Sequence, residues 1–304
     1  MTLDMARTVA DAVLFEGYLL YPYRASALKN QMRWQFGVLA PHTADCSEPW
    51  YAQTECLVEA DGEPELEVRV RCLQLRTRSG ELPWDEGVVQ EVPVRLDRLD
   101  ENGEFPFELP GGTDVDGEVT WRRLPLSGVV RVDVEHLPAG RDVRKVRATV
   151  ENRTPWEQDP AADRDDMLRR SLVSAHTMLA VRGGAFVSLL DPPDWARAAV
   201  GTCRNLHTWP VLVGDPGRRD VLLSSPIILY DHPAVSPHSP GDLFDAAEID
   251  ELLTLCTMTL TEEEKRKARA TDPRAAEIID RTENLSNEAI ERMHGTMRVP
   301  REES

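Results

Sequence analysis

Cysteine is scarce and unpatterned in this sequence: Cys46, Cys56, Cys72, Cys203 and Cys256 are odd in number, widely spaced and contain no CxxC pair. That excludes a disulfide framework and a thiolate zinc site, and it predicts reduced thiols, several of them in the core. The chain has no GxGxxG, GxxxxGKS, GxxxxGKT, GxSxG or HExxH. Dinucleotide, P-loop, serine-hydrolase and zincin chemistry therefore lack their required parts, and no nucleotide cofactor is expected. GGTDVDG at 111–117 is acidic but lacks the spacing and closing glutamate of a calcium loop. No run approaches the ~20 apolar residues of a membrane span. The opening MTLDMARTVADAVLFEGYLL carries Asp4, Asp11 and Glu16 where a secretory signal has a basic region and an apolar run, so the expected compartment is the cytoplasm.

Basic residues are in deficit as well. Among 304 residues, 53 acidic and 35 basic side chains give a formal charge of -18. A surface of that sign repels nucleic-acid backbones and anionic lipids, so neither nucleic acid nor membrane insertion is expected. The hydrophobic share, 41%, is enough for a sizeable core in one large domain or two ordinary ones.

What is present in the first half is strand-like. In ELEVRVRCLQLRTR, Leu66, Val68, Val70 and Cys72 alternate with Glu67, Arg69 and Arg71, the pattern of a strand with one wet face. The phase then slips to Leu73 and Leu75, which predicts a bulge. Further strands are expected at 34–40, 52–60, 87–96, 117–124, 127–137 and 143–152, separated by turn signals. Together they indicate an antiparallel β-sandwich or barrel.

Around RTPWEQDPAADRDD the chain turns polar, and the apolar period changes from two to nearly four. A boundary near 155 follows, with a β-rich domain over 1–155 and an α/β region with a helical C-terminus over 156–304. In that second part Met167, Leu168, Leu172, Val173, Met178 and Leu179 share one helical stripe that ends in Gly183 and Gly184. PPDWARAAVG reads as a short helix, and WPVLVG and VLLSSPIILYD as buried strands. The last quarter carries capping boxes at Asp245 with Glu248 and at Thr261 with Glu264, and Asp272 precedes Pro273 as another helix start. The expected class is α+β.

The charge is uneven. Residues 51–121 hold 18 acidic and 6 basic side chains, whereas the 28 residues from Gly17 to Ala44 hold no acid. That acid-free segment contains Tyr18, Tyr21, Tyr23, Arg24, Lys29, Arg33 and Trp34, with Phe36 following. Tyrosine, tryptophan and arginine are the residue types that anchor protein interfaces, so these seven are candidate partner-binding residues. The same rings also suit a sandwich core.

Two clusters suggest chemistry. Asp231, His232, His238 and Asp242 bring imidazole and carboxylate groups to a proline-stiffened loop and are candidate ligands for a divalent nickel, iron or zinc ion. Their spacing matches no standard signature, and nearby Asp245 and Glu248 already serve as helix caps. Cys203 and His207 are candidates for a cysteine nucleophile and its base, which needs a thiolate-favouring environment and a third, orienting group. A cysteine beside a buried strand is commonly inert.

Two stretches, YPYRASALKNQMRWQFGVLAP and CRNLHTWPVLVGD followed by SPIILYDHPAVSPHSPGDLFDAAEIDELLTLCTMTLTEEEKRKARATDPRAAEIIDR, resemble an uncharacterised bacterial family encoded in nickel-iron hydrogenase gene clusters. The resemblance implies an accessory, non-enzymatic role in the maturation or assembly of a hydrogenase subunit and carries over no catalytic or metal residue. A metal-binding protein and a cysteine-dependent enzyme are the alternatives.

Overall fold

A computed structural model describes residues 3–14, 36–44, 46–79, 84–117, 119–138, 141–156 and 162–233, together with 266 and 280. Contacts divide the chain into two compact units, Met1–Leu14 with Gln35–Pro233, and Phe15–Trp34 with Ala234–Ser304. Nearly all described residues belong to the first.

That unit is built on one ten-stranded, wholly antiparallel sheet among the described residues. The strands are β1 (Tyr51–Arg78), β2 (Trp84–Leu96), β3 (Gly103–Leu109), β4 (Gly112–Asp116), β5 (Val119–Arg123), β6 (Leu126–Pro138), β7 (Asp142–Asn152), β8 (Val173–Phe186), β9 (Trp209–Leu212) and β10 (Val221–Ser225). The main path runs β3-β6-β7-β1-β8-β10-β9, with β2 and β5 also paired to β1, and β4 to β5. Among the described residues three helices accompany it: α1 (Asp4–Leu14), α2 (Arg164–Leu168) and α3 (Arg197–Val200).

β1 organises the sheet. Its 28 residues would span about 90 Å if straight, at ~3.3 Å per residue. Instead it turns near Gly62, where φ is +82° and the register with β8 shifts between Ala60 and Glu65. Before the turn β1 pairs with β7, and after it with β2, while β8 lies against both stretches. Leu66, Val68, Val70 and Cys72 from the second stretch share one core with Val130, Val132, Val146, Ala148 and Val150 of β6 and β7. Strands that are not paired can share side-chain contacts in this way only if the sheet folds over, so its two parts face each other across a common core.

The other face of the second part is covered by α1. Leu3, Ala6, Val9 and Ala10 pack on Met178 and Ala180 of β8, Val211 of β9, and Val221 and Leu223 of β10. Beside this apolar seam lies an ionic one. Arg7 donates to both oxygens of Glu91 at 3.1 and 2.8 Å, and Arg69 and Arg71 reach the same carboxylate at 2.7 and 3.0 Å. Arg71 also holds Asp11 at 2.7 Å.

The α+β expectation is corrected. The stripe from Met167 to Leu179 is not a helix: after the five-residue α2 the chain extends as β8, a central strand between β1 and β10. Val173 to Val181 are all buried, because α1 covers one face of β8 and the core the other. A strand dry on both faces loses its two-residue alternation and imitates a buried helix. No α/β segment exists among the described residues, and the expected C-terminal helices lie outside them. The boundary expected at 155 falls between β7 and β8, two strands that pair with the same β1. The strand expected at 34–40 is, in its described part, a single bridge between Leu39 and Leu172.

Candidate functional site

One end of the sheet gathers rings and arginines. β1 begins there at Tyr51, directly after Trp50, opposite the end of β7 at Glu151 and Asn152. His42 meets Trp50 edge-on at 4.4 Å between ring centroids, Trp50 tilts against Tyr51 at 4.8 Å, and Tyr51 meets His207 edge-on at 5.8 Å. The Arg153 guanidinium lies 5.6 Å from the Trp50 ring centroid, and that of Arg170 5.2 Å from Trp156. Cation-π placements of this kind orient the arginine, and Arg153 is held further by its ion pair with Glu151.

Asn152, fully buried, is the joint of this rim. Its amide donates to Leu39 O at 2.8 Å and Arg170 O at 2.9 Å, and its side-chain oxygen accepts from the Thr154 N–H at 2.9 Å. Three chain segments are thereby fixed by one side chain. Thr43 adds a hydrogen bond to Trp156 O at 3.1 Å. The Leu206–Trp209 segment is tied down by backbone hydrogen bonds between Gln53 and Leu206. Below it a buried hydroxyl chain runs from Thr54 through Ser224 to Thr208, with links of 2.7 and 2.8 Å.

Close packing demands unusual backbone here. Gly37 has φ +58°, and a Cβ at that position would run into Pro226. Ser174 and His207 hold φ of +52° and +62° without being glycine. Such conformations cost energy and persist where surrounding structure imposes them, commonly at functional sites.

Apolar exposure clusters beside the rim. Trp209 is 43% exposed, and after Ser225, its cross-strand partner, the chain carries Ile228 and Tyr230 at 73% and 85%. Leu229 between them packs inward on the cluster beneath α1. The same segment ends against the free edge of β9: Asp231 accepts from Ser188 Oγ at 2.5 Å and from the Leu212 N–H at 2.8 Å, while the His232 N–H donates to Leu212 O. His232 Nδ1–H donates to Gly214 O at 3.1 Å.

Asp231 and His232, expected as metal ligands, are thus occupied in fastening the chain to an edge strand. His238 and Asp242 lie outside the described residues, and among those described no three His, Cys, Asp or Glu side chains are grouped to hold a metal ion. Cys203 is half-buried, and burial pushes its thiol up to about 11, against a weaker opposing pull from Lys145. A thiolate nucleophile is disfavoured there. His207 meets Tyr51 edge-on, and no hydrogen bond among the described residues joins it to Cys203. Tyr18, Tyr21, Tyr23, Arg24, Lys29, Arg33 and Trp34 lie outside the described residues. The described end of the acid-free segment, Phe36 to Ala44, runs along the rim beside Leu172 to Ala175.

Trp50, Tyr51, Trp156, Arg153 and Arg170 escaped the sequence reading because they come from separate stretches, and only the sheet brings them together. The available signal was the pair Trp50-Tyr51 at the head of a strand, directly after Pro49.

The chain matches no family model and no curated protein. No helix among the described residues is long and apolar enough to cross a membrane.

Proposed function

We propose that this chain is a non-enzymatic accessory protein that binds a protein partner through the aromatic rim, the partner being a nickel-iron hydrogenase subunit as the sequence resemblance implies. The observation that carries the binding reading is the convergence of Trp50, Tyr51, Trp156 and His207 with Arg153 and Arg170 on a framework fixed by buried Asn152, with the exposed Trp209 two residues beyond His207. Tryptophan, tyrosine and arginine are enriched at interface hot spots, the two aromatics because they bury large area at small entropic cost. A pre-fixed rim also spends little binding energy on ordering. The raised thiol pKa of Cys203 weighs against the cysteine-enzyme alternative.

The test is co-purification of the tagged chain with co-expressed hydrogenase subunits. The expected result is capture of one subunit by the native chain and loss of capture, by about tenfold or more, with Trp209→Ala, a hot-spot truncation at an exposed ring. Undiminished capture by the variant removes the rim from the reading, and absence of any captured subunit removes the hydrogenase partner.

A further inference from the structure

The inner face of β1 changes character toward its end. Leu66, Val68, Val70 and Cys72 lie in the shared core, but the next residues on that face are Gln74, Arg76 and Arg78. Gln74, fully buried, closes the apolar part: it donates to Leu124 O at 2.8 Å and accepts from Gln90 Nε2 at 2.9 Å. Beyond it β5 joins β1 and β4 joins β5, and residues directly opposite in antiparallel strands point to one face. The registers set Glu86, Arg76, Arg123 and Gly112 in one row and Arg78, Trp121 and Asp114 in the next, all on the same face. The Arg76 guanidinium, 5.3 Å from the Trp121 ring centroid, bears this out.

Arg76 is spent on Glu86, at 2.7 Å. The side chains of Arg78 and Arg123 have no partner among the described residues, and in Arg123 the Nε–H is moreover buried with nothing to bond. An arginine keeps its proton at any ordinary pH, so this guanidinium has lost part of its hydration without gaining a counter-ion, a cost that an anion at its outer edge offsets. That edge reaches over β4 at a glycine. A Cβ at Gly112 would stand 3.8 Å from Arg123 Nη2 and, its chain neighbours apart, within 4 Å of no other described atom, so the place beside the guanidinium is bare. The described carboxylates on this face are Glu86, already paired, and Asp114, exposed on the edge strand and in no ion pair. Three guanidinium groups against two carboxylates leave the face positive by one charge.

We propose that this face binds the carboxylate of a small organic monoacid, held by the outer edge of Arg123 with Arg78 diagonal to it, the body of the acid lying over Gly112 beside Trp121. A guanidinium meets a carboxylate with two parallel N–H donors. A surplus of one positive charge suits a monoanion, whereas a phosphate dianion would be repelled more strongly by Asp114 and by the acidic molecule as a whole. The site shares no residue with the aromatic rim and does not depend on the protein-binding reading.

The experiment titrates the full chain with benzoate, and with benzamide and inorganic phosphate for comparison, read by calorimetry and by the Arg123 Nε–H resonance, which is assigned by its loss in Arg123→Lys. Benzoate is expected to bind with a Kd on the order of a millimolar or tighter, at least about tenfold below the Kd of either comparison, and to shift that resonance. Arg123→Gln should weaken it about tenfold and Asp114→Asn should tighten it about twofold, since the one removes the partner and the other an opposing charge. Arg122→Gln removes the same charge from the other face of β5, where Arg122 is exposed opposite Thr77, and should change binding by less than about twofold. Equal binding of benzamide, tighter binding of phosphate, an equal loss in Arg122→Gln, or no binding each overturns the proposal. Should far-ultraviolet dichroism show Arg123→Gln unfolded, Arg78→Gln decides in its place: a loss of about threefold upholds the site, and no loss overturns it.

Discussion

His176 sits two residues beyond the strained Ser174 and is fully buried on β8. Its Nδ1–H donates to Ser174 O at 2.8 Å, so Nε2 is the bare nitrogen, and it finds no hydrogen-bond partner. A proton there would be buried, unpaired and across the sheet from Arg71. Burial first, and Arg71 in addition, therefore depress its pKa to about 4, against a smaller opposing effect of the Ser174 carbonyl. The folded pKa lies below the ordinary value near 6.5, so the unfolded chain takes up the proton first. The stability from keeping His176 neutral is complete above about 6.5 and is lost as pH falls toward 4, by a few kcal/mol in all. Urea unfolding followed across that window should show the loss, and His176→Gln should flatten it. At Gly37 the constraint is steric: Gly37→Ala combines positive φ with a collision against Pro226, and should cost on the order of 2 kcal/mol in the same measurement. Neither position is legible in sequence, because both depend on which segment lies opposite.

At the scale of elements, legibility followed wetness. The second stretch of β1 was plain because its odd residues face an ionic layer and its even residues the core, and the slip at Cys72 to Leu73 is the register shift between Arg71 and Leu73. β8 was misread because no face of it is wet. α1 was not anticipated at all, since its apolar side includes the small residues Ala6 and Ala10 beside Leu3 and Val9. Its seat is partly ionic. Burial alone would raise the Glu91 carboxyl, but hydrogen bonds and charge from Arg7 and Arg69 outweigh that and hold its pKa down at about 2. Glu91→Gln leaves three partly buried guanidinium groups short of one anion, and about 2 kcal/mol of stability should be lost. Amide exchange along α1 should rise more than exchange in β6 and β7, which supply none of the hydrogen bonds of this network among the described residues. Equal acceleration everywhere would show that α1 and the sheet open as one unit.

For the whole molecule, the acidic block at 51–121 proves to be half of a charge match, with much of its complement supplied from outside it. Glu55 is bound by Lys145 and Arg147, Glu59 by Arg141, Glu65 by Arg182, Asp85 by Arg169 and Glu104 by Arg131. The block looked like a repulsive surface in sequence because its partners lie on later strands, and sequence distance conceals pairing across a sheet. The same pairing decides how the chain can be cut. β1 after its turn has β2 on one side and β8 on the other, and β8 lies beyond residue 155. A fragment of residues 1–155 loses β8, β9 and β10, exposes Leu66, Val68 and Val70 to partial solvation, and leaves a long unpaired strand edge of the kind that aggregates. It is expected to be insoluble, or to unfold without a cooperative transition, whereas residues 1–233 should unfold in one step. Urea titrations of the two fragments by far-ultraviolet dichroism check this. A cooperative transition in the shorter one, with native-like amide dispersion, would mean that β7, β6 and the first stretch of β1 close a core without β8.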